Sequence, residues 1–139
     1  MNVQRVLFPV DFSDPSAQCL ADASRLLATT SLGDVHFLHV LRSPADFATA
    51  EADVEAAVRK ELAGVVEQFR HEGPHQRHLA VVRGHPATVI CEYARERVCD
   101  LIVLSTHGRS GLSHLLVGST TEQVVRHAPC SVLTVRLRH

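Results

Sequence analysis

The strongest constraint on the fold is a change of hydrophobic period that repeats along the whole chain. Short, nearly continuous apolar runs at Val3–Val10, Asp34–Leu41, Leu79–Val82, Leu101–Leu104 and Val132–Leu137 alternate with stretches of helical period. A run that is apolar at successive positions has no polar face to offer water. It reads as a strand covered on both sides, as in a parallel sheet. The stretches between place apolar residues three or four apart: Leu20, Ala23 and Leu27, then Val54, Ala57, Val58, Leu62, Val65, Val66 and Phe69. Val89, Ile90, Tyr93 and Ala94 make a third stripe, and Val124 and Val125 a fourth. That spacing is one face of an amphipathic helix. Turn chemistry marks the same boundaries. Asp14-Pro15 offers a cap followed by proline in a first helical turn, Gly33 and Gly73-Pro74 follow two helices, and Gly84-His85-Pro86 leads from a strand into a helix. Arg126 and His127 put cations in a last turn that Pro129 stops. The order β-α-β-α-β-α-β-α-β predicts one doubly wound α/β domain over residues 1–139, with flavodoxin-like strand orders as the candidates.

Composition narrows the function. Fourteen Lys+Arg against fifteen Asp+Glu give a net charge of −1, which argues against nucleic acid or an anionic membrane as partner. Lys60 is the only lysine, so no Gly-Lys-Ser/Thr phosphate loop exists. No stretch approaches the roughly 18 apolar residues of a membrane span. Met1–Arg5 runs directly into a strand-like segment, so no secretory leader is expected. Cys19, Cys91, Cys99 and Cys130 are widely spaced without a Cys-x-x-Cys pair, and are expected as reduced thiols of a cytoplasmic protein.

In an open parallel sheet, ligands bind at the carboxyl ends of the strands where the winding reverses. The loops to inspect are therefore Pro9-Val10-Asp11-Phe12-Ser13 and the stretch Ser105-Thr106-His107-Gly108-Arg109-Ser110-Gly111, continued by Gly118-Ser119-Thr120-Thr121-Glu122. Glycines at 108, 111 and 118, many hydroxyls, and no acid before Glu122 describe an anion cradle. Glycine lets backbone N–H groups approach a phosphate closely, and a helix N-terminus adds partial positive charge. Arg109 adds a formal one. The competing reading is a polar surface loop with Ser119 as a plain helix cap. Asp11 can accept hydrogen bonds from an adenine amino group or a ribose hydroxyl, or it can organise an Asx turn into the first helix. Asp14 is expected as the cap, which leaves Asp11 available. His107 and His114 flank the loop, either touching phosphate or facing solvent. His71, His75 and His78 read as a surface turn and not a metal site. His36 and His39 fall on opposite faces of their strand and are expected to be packed.

Asp100-Leu-Ile-Val-Leu-Ser105-Thr-His-Gly108, nine residues, then Gly118-Ser119 resembles the Gly-x-x-Gly-x9-Gly-Ser/Thr signature of the ATP-binding branch of the universal stress protein (UspA-like) family. Val6-Leu-Phe-Pro-Val-Asp11-Phe-Ser, Phe37-Leu-His-Val40 and His127-Ala-Pro-Cys-Ser-Val-Leu-Thr-Val match as well, so the resemblance spans essentially the whole chain. It implies a Rossmann-like, adenine nucleotide alpha hydrolase-like sheet of order 3-2-1-4-5 with helices on both faces. It also implies a homodimer. Carried over residue by residue, it puts adenosine against Pro9, Val10, Asp11 and Val40. Ribose and phosphates fall against Ser105, Thr106, His107, Gly108, Arg109, Gly118, Ser119 and Thr120. Ser105 stands where the pattern has its first glycine. A requirement for positive φ would make serine cost on the order of 1 kcal/mol, whereas close approach alone would tolerate it.

The expected function is a dimeric ATP-binding switch or reservoir, with Mg²⁺ as possible companion, and at most slow hydrolysis because the loop offers no evident catalytic base. The alternatives are an interaction module that has lost nucleotide binding, and a slow ATPase or cyclic AMP binder. Val132–Leu137 is expected as an exposed edge strand that pairs with its own copy across a two-fold axis.

Overall fold

Val6, Leu7 and Phe8 are buried in succession, as are Leu101 to Leu104, because helices cover both faces of the strands they belong to. The computed structural model describes residues 3–42, 51–106 and 117–136. Its elements are β1 (Arg5–Pro9), α1 (Asp14–Leu26), β2 (Asp34–Leu41), α2 (Glu51–Val65), β3 (Gln76–Arg83), α3 (Pro86–Glu96), β4 (Leu101–Ser105), α4 (Ser119–His127) and β5 (Ser131–Val135). The strands form one five-stranded sheet in the order β3-β2-β1-β4-β5, and every pairing is parallel. Both the alternating architecture and the implied order are as expected. His107, Gly108, Arg109 and Leu137 lie outside the described residues.

Odd and even strand positions feed two separate cores. Val6, Phe8, Val35, Phe37, Leu101 and Val103 pack with Leu20, Ala23 and Leu27 of the α1 segment and with Leu62, Val66 and Phe69. Phe8, Phe37 and Phe69 form a ring cluster whose centroids lie 4.9 to 6.0 Å apart. On the other face Leu7, Leu38, Ile102 and Leu104 meet Ile90, Tyr93 and Ala94 of α3 and Val124 of α4. The winding therefore reverses between β1 and β4. These two strands pair at Val6–Leu101 and Leu7–Ile102.

Three local expectations need correction. Ser13, not Asp14, caps α1: its hydroxyl accepts from the Ser16 amide, and Asp14 lies in the first turn. Val125 is 54% exposed, so the α4 stripe is carried by Thr121 and Val124 alone. In α2 Ala57 is exposed and only Leu62 is fully buried, while Val66 and Phe69 complete the stripe beyond the helix end. Periodicity could not separate a helix from the turn that prolongs its apolar stripe.

The amino end of the sheet is tied by Asp100, whose Oδ2 accepts both the Gln4 and Arg5 amides at 2.8 Å. Asp100 thus joins the start of β4 to the start of β1. Just before it, α3 ends in a Schellman arrangement: Val98 N donates to Arg95 O at 3.2 Å and Cys99 N to Ala94 O at 2.9 Å. The residue this motif puts in the left-handed region is Val98, with φ of 53° and 64% exposure. A β-branched residue there costs about 1–2 kcal/mol relative to glycine. Val98→Gly is expected to raise unfolding stability by about 1 kcal/mol, or a few degrees in Tm. Chemical denaturation of both proteins checks this, and a less stable variant would refute it.

Among the described residues all four cysteines are free thiols, with Cys19, Cys91 and Cys99 buried. Burial, with a smaller push from Asp22, drives the Cys19 thiol up to about 12. Burial first, then Cys130 and Asp100, drives Cys99 up to about 11. Neither forms thiolate near neutrality, so both behave as small core residues.

Candidate functional site

The site expected from the topology is a crevice at the carboxyl ends of β1 and β4, entered from the β1–α1 turn on one side and from α4 on the other. Val10 prolongs the β1 pairing by donating its amide to Leu38 O at 2.8 Å. The chain then turns sharply. Asp11 Oδ1 accepts from the Ser13 amide at 3.0 Å and from the Ser13 hydroxyl at 2.5 Å, an Asx turn. Ser13 Oγ in turn accepts from Ser16 N at 3.2 Å, and Ser16 Oγ accepts from Asp11 N at 3.4 Å. The Asx-turn reading of Asp11 is therefore the one the structure shows: the carboxylate organises the helix entry, and Ser13 is the cap it holds.

Between them Phe12 sits at φ 64°, in the left-handed region. A bulky side chain there costs about 1–3 kcal/mol and persists only when its surroundings hold it. Its ring stacks on the imidazole of His39, centroids 4.3 Å apart and planes 22° apart. His39 is 8% exposed, and its Nδ1 lies 2.6 Å from the Val10 carbonyl oxygen. His39 was expected only as packing, and Phe12 was given no role. A left-handed phenylalanine leaves no mark in composition or spacing, which is why neither was found. Val40 follows His39 as the penultimate β2 residue, half-buried on the α3/α4 side.

At the other side Ser105 closes β4, paired with Val135, and its carbonyl accepts from Thr121 Oγ1 at 2.8 Å. Ser105 is not among the positive-φ residues, so serine carries no conformational penalty here. Thr106 donates its amide to Val135 O at 3.3 Å, and its carbonyl accepts from Gly118 N at 2.7 Å. Thr106 and Gly118 thus lie side by side, the end of β4 against the start of α4. Gly118 is the N-cap of α4, with φ −56° and ψ 152°, and Glu122 N donates to its carbonyl at 2.9 Å. The α4 cap is Gly118 and not Ser119, because the Gly118 amide is the one that docks onto Thr106. Ser119 is exposed and Thr120 half-buried in the first turn, where N–H groups lack intrahelical partners. The structure therefore brings Pro9, Val10 and Asp11 to one strand end, and Ser105, Thr106, Gly118, Ser119 and Thr120 to the other. Val40 stands one strand further out.

A family model for the universal stress protein family matches residues 2–136. The chain belongs to that family. Universal stress protein MJ0531 of Methanocaldococcus jannaschii is 30% identical over 140 residues, covering 96% of this chain and 82% of that one. Among solved structures, protein MJ0577 superposes with a TM-score of 0.81 at 21% identity, over 100% of this chain and 99% of that one. A universal stress protein in complex with cAMP matches with a TM-score of 0.70 at 24% identity, covering 98% of each chain. A third, from Archaeoglobus fulgidus in complex with dAMP, has a TM-score of 0.64 at 20% identity, over 96% of this chain and 98% of that one. These three structures share the fold of this universal stress protein domain.

Proposed function

We propose that this universal stress protein domain binds an adenine nucleotide, ATP with Mg²⁺ in the first instance, as a dimeric stress-response switch or reservoir. The observation that carries the reading is the placement of the Asp11 turn after β1 and of the α4 N-terminus after β4, the two strands between which the winding reverses. A carboxylate is an acceptor only, so Asp11 suits the hydroxyls and amino group of an adenosine. A helix N-terminus preceded by glycine suits phosphate. Neighbours of the same fold hold cAMP and dAMP, which share the adenine base of the ligand. In this reading His107, Gly108 and Arg109 complete the phosphate side, and Ser105 accommodates ribose without strain. The four free thiols fit a reducing cytoplasm. No helix among the described residues is long and apolar enough to cross a membrane.

Acid release and chromatography of freshly purified protein, followed by Mg·ATP titration, tests the proposal. Co-purified adenine nucleotide or micromolar binding is the expected result. No nucleotide and no binding would favour an interaction module instead. The cAMP complex gives a second reading a footing, and competition of cAMP against ATP decides between them. Asp11 is engaged with Ser13, and Glu122 with Arg126 at 2.9 Å, so neither stands as a ready base. Turnover below about 1 s⁻¹ is expected, at the slow end for enzymes.

The dimer rests on the two sheet edges. At β3 the Arg59 guanidinium donates to Leu79 O at 3.0 Å and so occupies part of that edge. At β5 the half-buried Val132 and Leu133 stand between exposed Ser131 and Thr134 on a short edge strand. Antiparallel pairing of two β5 strands would bury these apolar groups. Sizing at low micromolar concentration is expected to give twice 15.2 kDa; a monomer would refute it.

A further inference from the structure

We infer that His39 is a positioning residue for the ligand-binding turn, an inference that rests on the nucleotide reading above. The imidazole touches the turn on both sides of Asp11. Its Nδ1 contacts the Val10 carbonyl at 2.6 Å, one residue before Asp11. Its ring supports Phe12, one residue after Asp11, at 4.3 Å. Its own backbone immediately precedes Val40 on β2. Both peptide groups of Val10, the residue before Asp11, are thus set from β2, because Val10 also donates its amide to Leu38 O.

A carbonyl oxygen only accepts, so His39 Nδ1 must carry the hydrogen. The neutral ring is then confined to the Nδ1–H tautomer, which is the minor one of free histidine in water. His39 contacts the turn and not the ligand. By holding a left-handed phenylalanine in place, it presents the Asp11 carboxylate in one orientation before any ligand arrives, so that ordering cost falls on folding and not on binding. Other histidines of the sheet differ in this respect: His36 bonds the Tyr93 hydroxyl, and His78 bonds Asp34.

Two measurements test this. Long-range ¹H–¹⁵N correlation spectra of the unliganded protein report the tautomer directly. A protonated Nδ1 and unprotonated Nε2 on His39 is expected, and the reverse pattern overturns the inference without reference to any ligand. Titration with Mg·ATP then compares wild type, His39→Leu and His39→Asn, with circular dichroism and thermal melts run on each. His39→Leu is expected to weaken binding at least tenfold. His39→Asn, which keeps an N–H donor close to the Nδ1 position but not the ring beneath Phe12, is expected to recover part of that loss and to bind at least threefold tighter than His39→Leu. A merely structural role would instead make binding follow melting temperature in both variants. Should His39→Leu fail to fold, the tautomer and His39→Asn still decide. Wild type that binds while both variants match it overturns the positioning role alone. Wild type that binds neither ATP nor cAMP overturns the nucleotide reading, and the positioning role with it.

Discussion

Replacing Gly118 by valine is expected to remove nucleotide binding while leaving the fold in place. Gly118 adopts φ −56° and ψ 152°, values open to any residue, so valine needs no backbone change. Its amide still donates to Thr106 O, and α4 keeps its anchor on β4. Exchanging glycine for valine at an N-cap costs about 1 kcal/mol or less, a few degrees in Tm at most. The branched side chain, however, stands at the mouth of the first turn of α4, where the free N–H groups of Ser119 and Thr120 would meet a phosphate. Each charge-assisted hydrogen bond lost is worth about 1.5–3 kcal/mol. Losing two raises Kd by about 100-fold or more. Calorimetric titration with Mg·ATP, set beside the melting curve, separates the two effects. An unchanged Kd would show that phosphate lies elsewhere.

The second large effect is a loss of stability in acid, concentrated on His36. Its side chain is 5% exposed, stacks on His78 with ring centroids 4.5 Å apart, and lies 2.9 Å by Nδ1 from the Tyr93 hydroxyl. Burial, then the neighbouring His78, holds its pKa down from 6.5 to about 4; Asp34 opposes this, while Arg97 and Arg5 add to it. Between those values the unfolded chain binds a proton that the folded chain refuses. Stability is therefore full above pH 6.5 and falls as pH drops toward 4. At about 1.4 kcal/mol per unit, the loss over that window is about 3 kcal/mol. Asp34, whose carboxyl the His78 hydrogen bond holds below its usual range, extends the same trend to lower pH. Denaturant unfolding from pH 7 to pH 4 measures the slope. In His36→Gln, which keeps a polar partner for Tyr93 but has no proton to gain, the drop is expected to shrink to about 1 kcal/mol or less. Equal slopes would place the acid sensitivity in other groups.

The alternation of apolar runs and helical stripes was enough to predict a doubly wound domain, because a strand buried on both faces cannot hide its composition. Leu101–Leu104 and Val6–Phe8 are legible for that reason. The resemblance supplied the strand order and the loop residues beyond what periodicity could give. What stayed hidden was decided by particular hydrogen bonds and side-chain contacts, most of them between distant segments. Ser105 looked like a conformational liability, but its strain-free backbone became visible only with the strand pairing to Val135. Asp14 and Ser13 are equally plausible caps by composition; the carboxylate of Asp11, reaching forward to Ser13, settled it. Ser119 yielded the α4 cap to Gly118 because the end of β4 offers Thr106 O to that amide. His39 and Phe12 meet through their side chains across 26 intervening positions. Side-chain period is a local property of the chain and survives in the sequence. Hydrogen-bond direction and a single left-handed residue are set by whichever partner tertiary packing delivers, and only the folded structure names that partner.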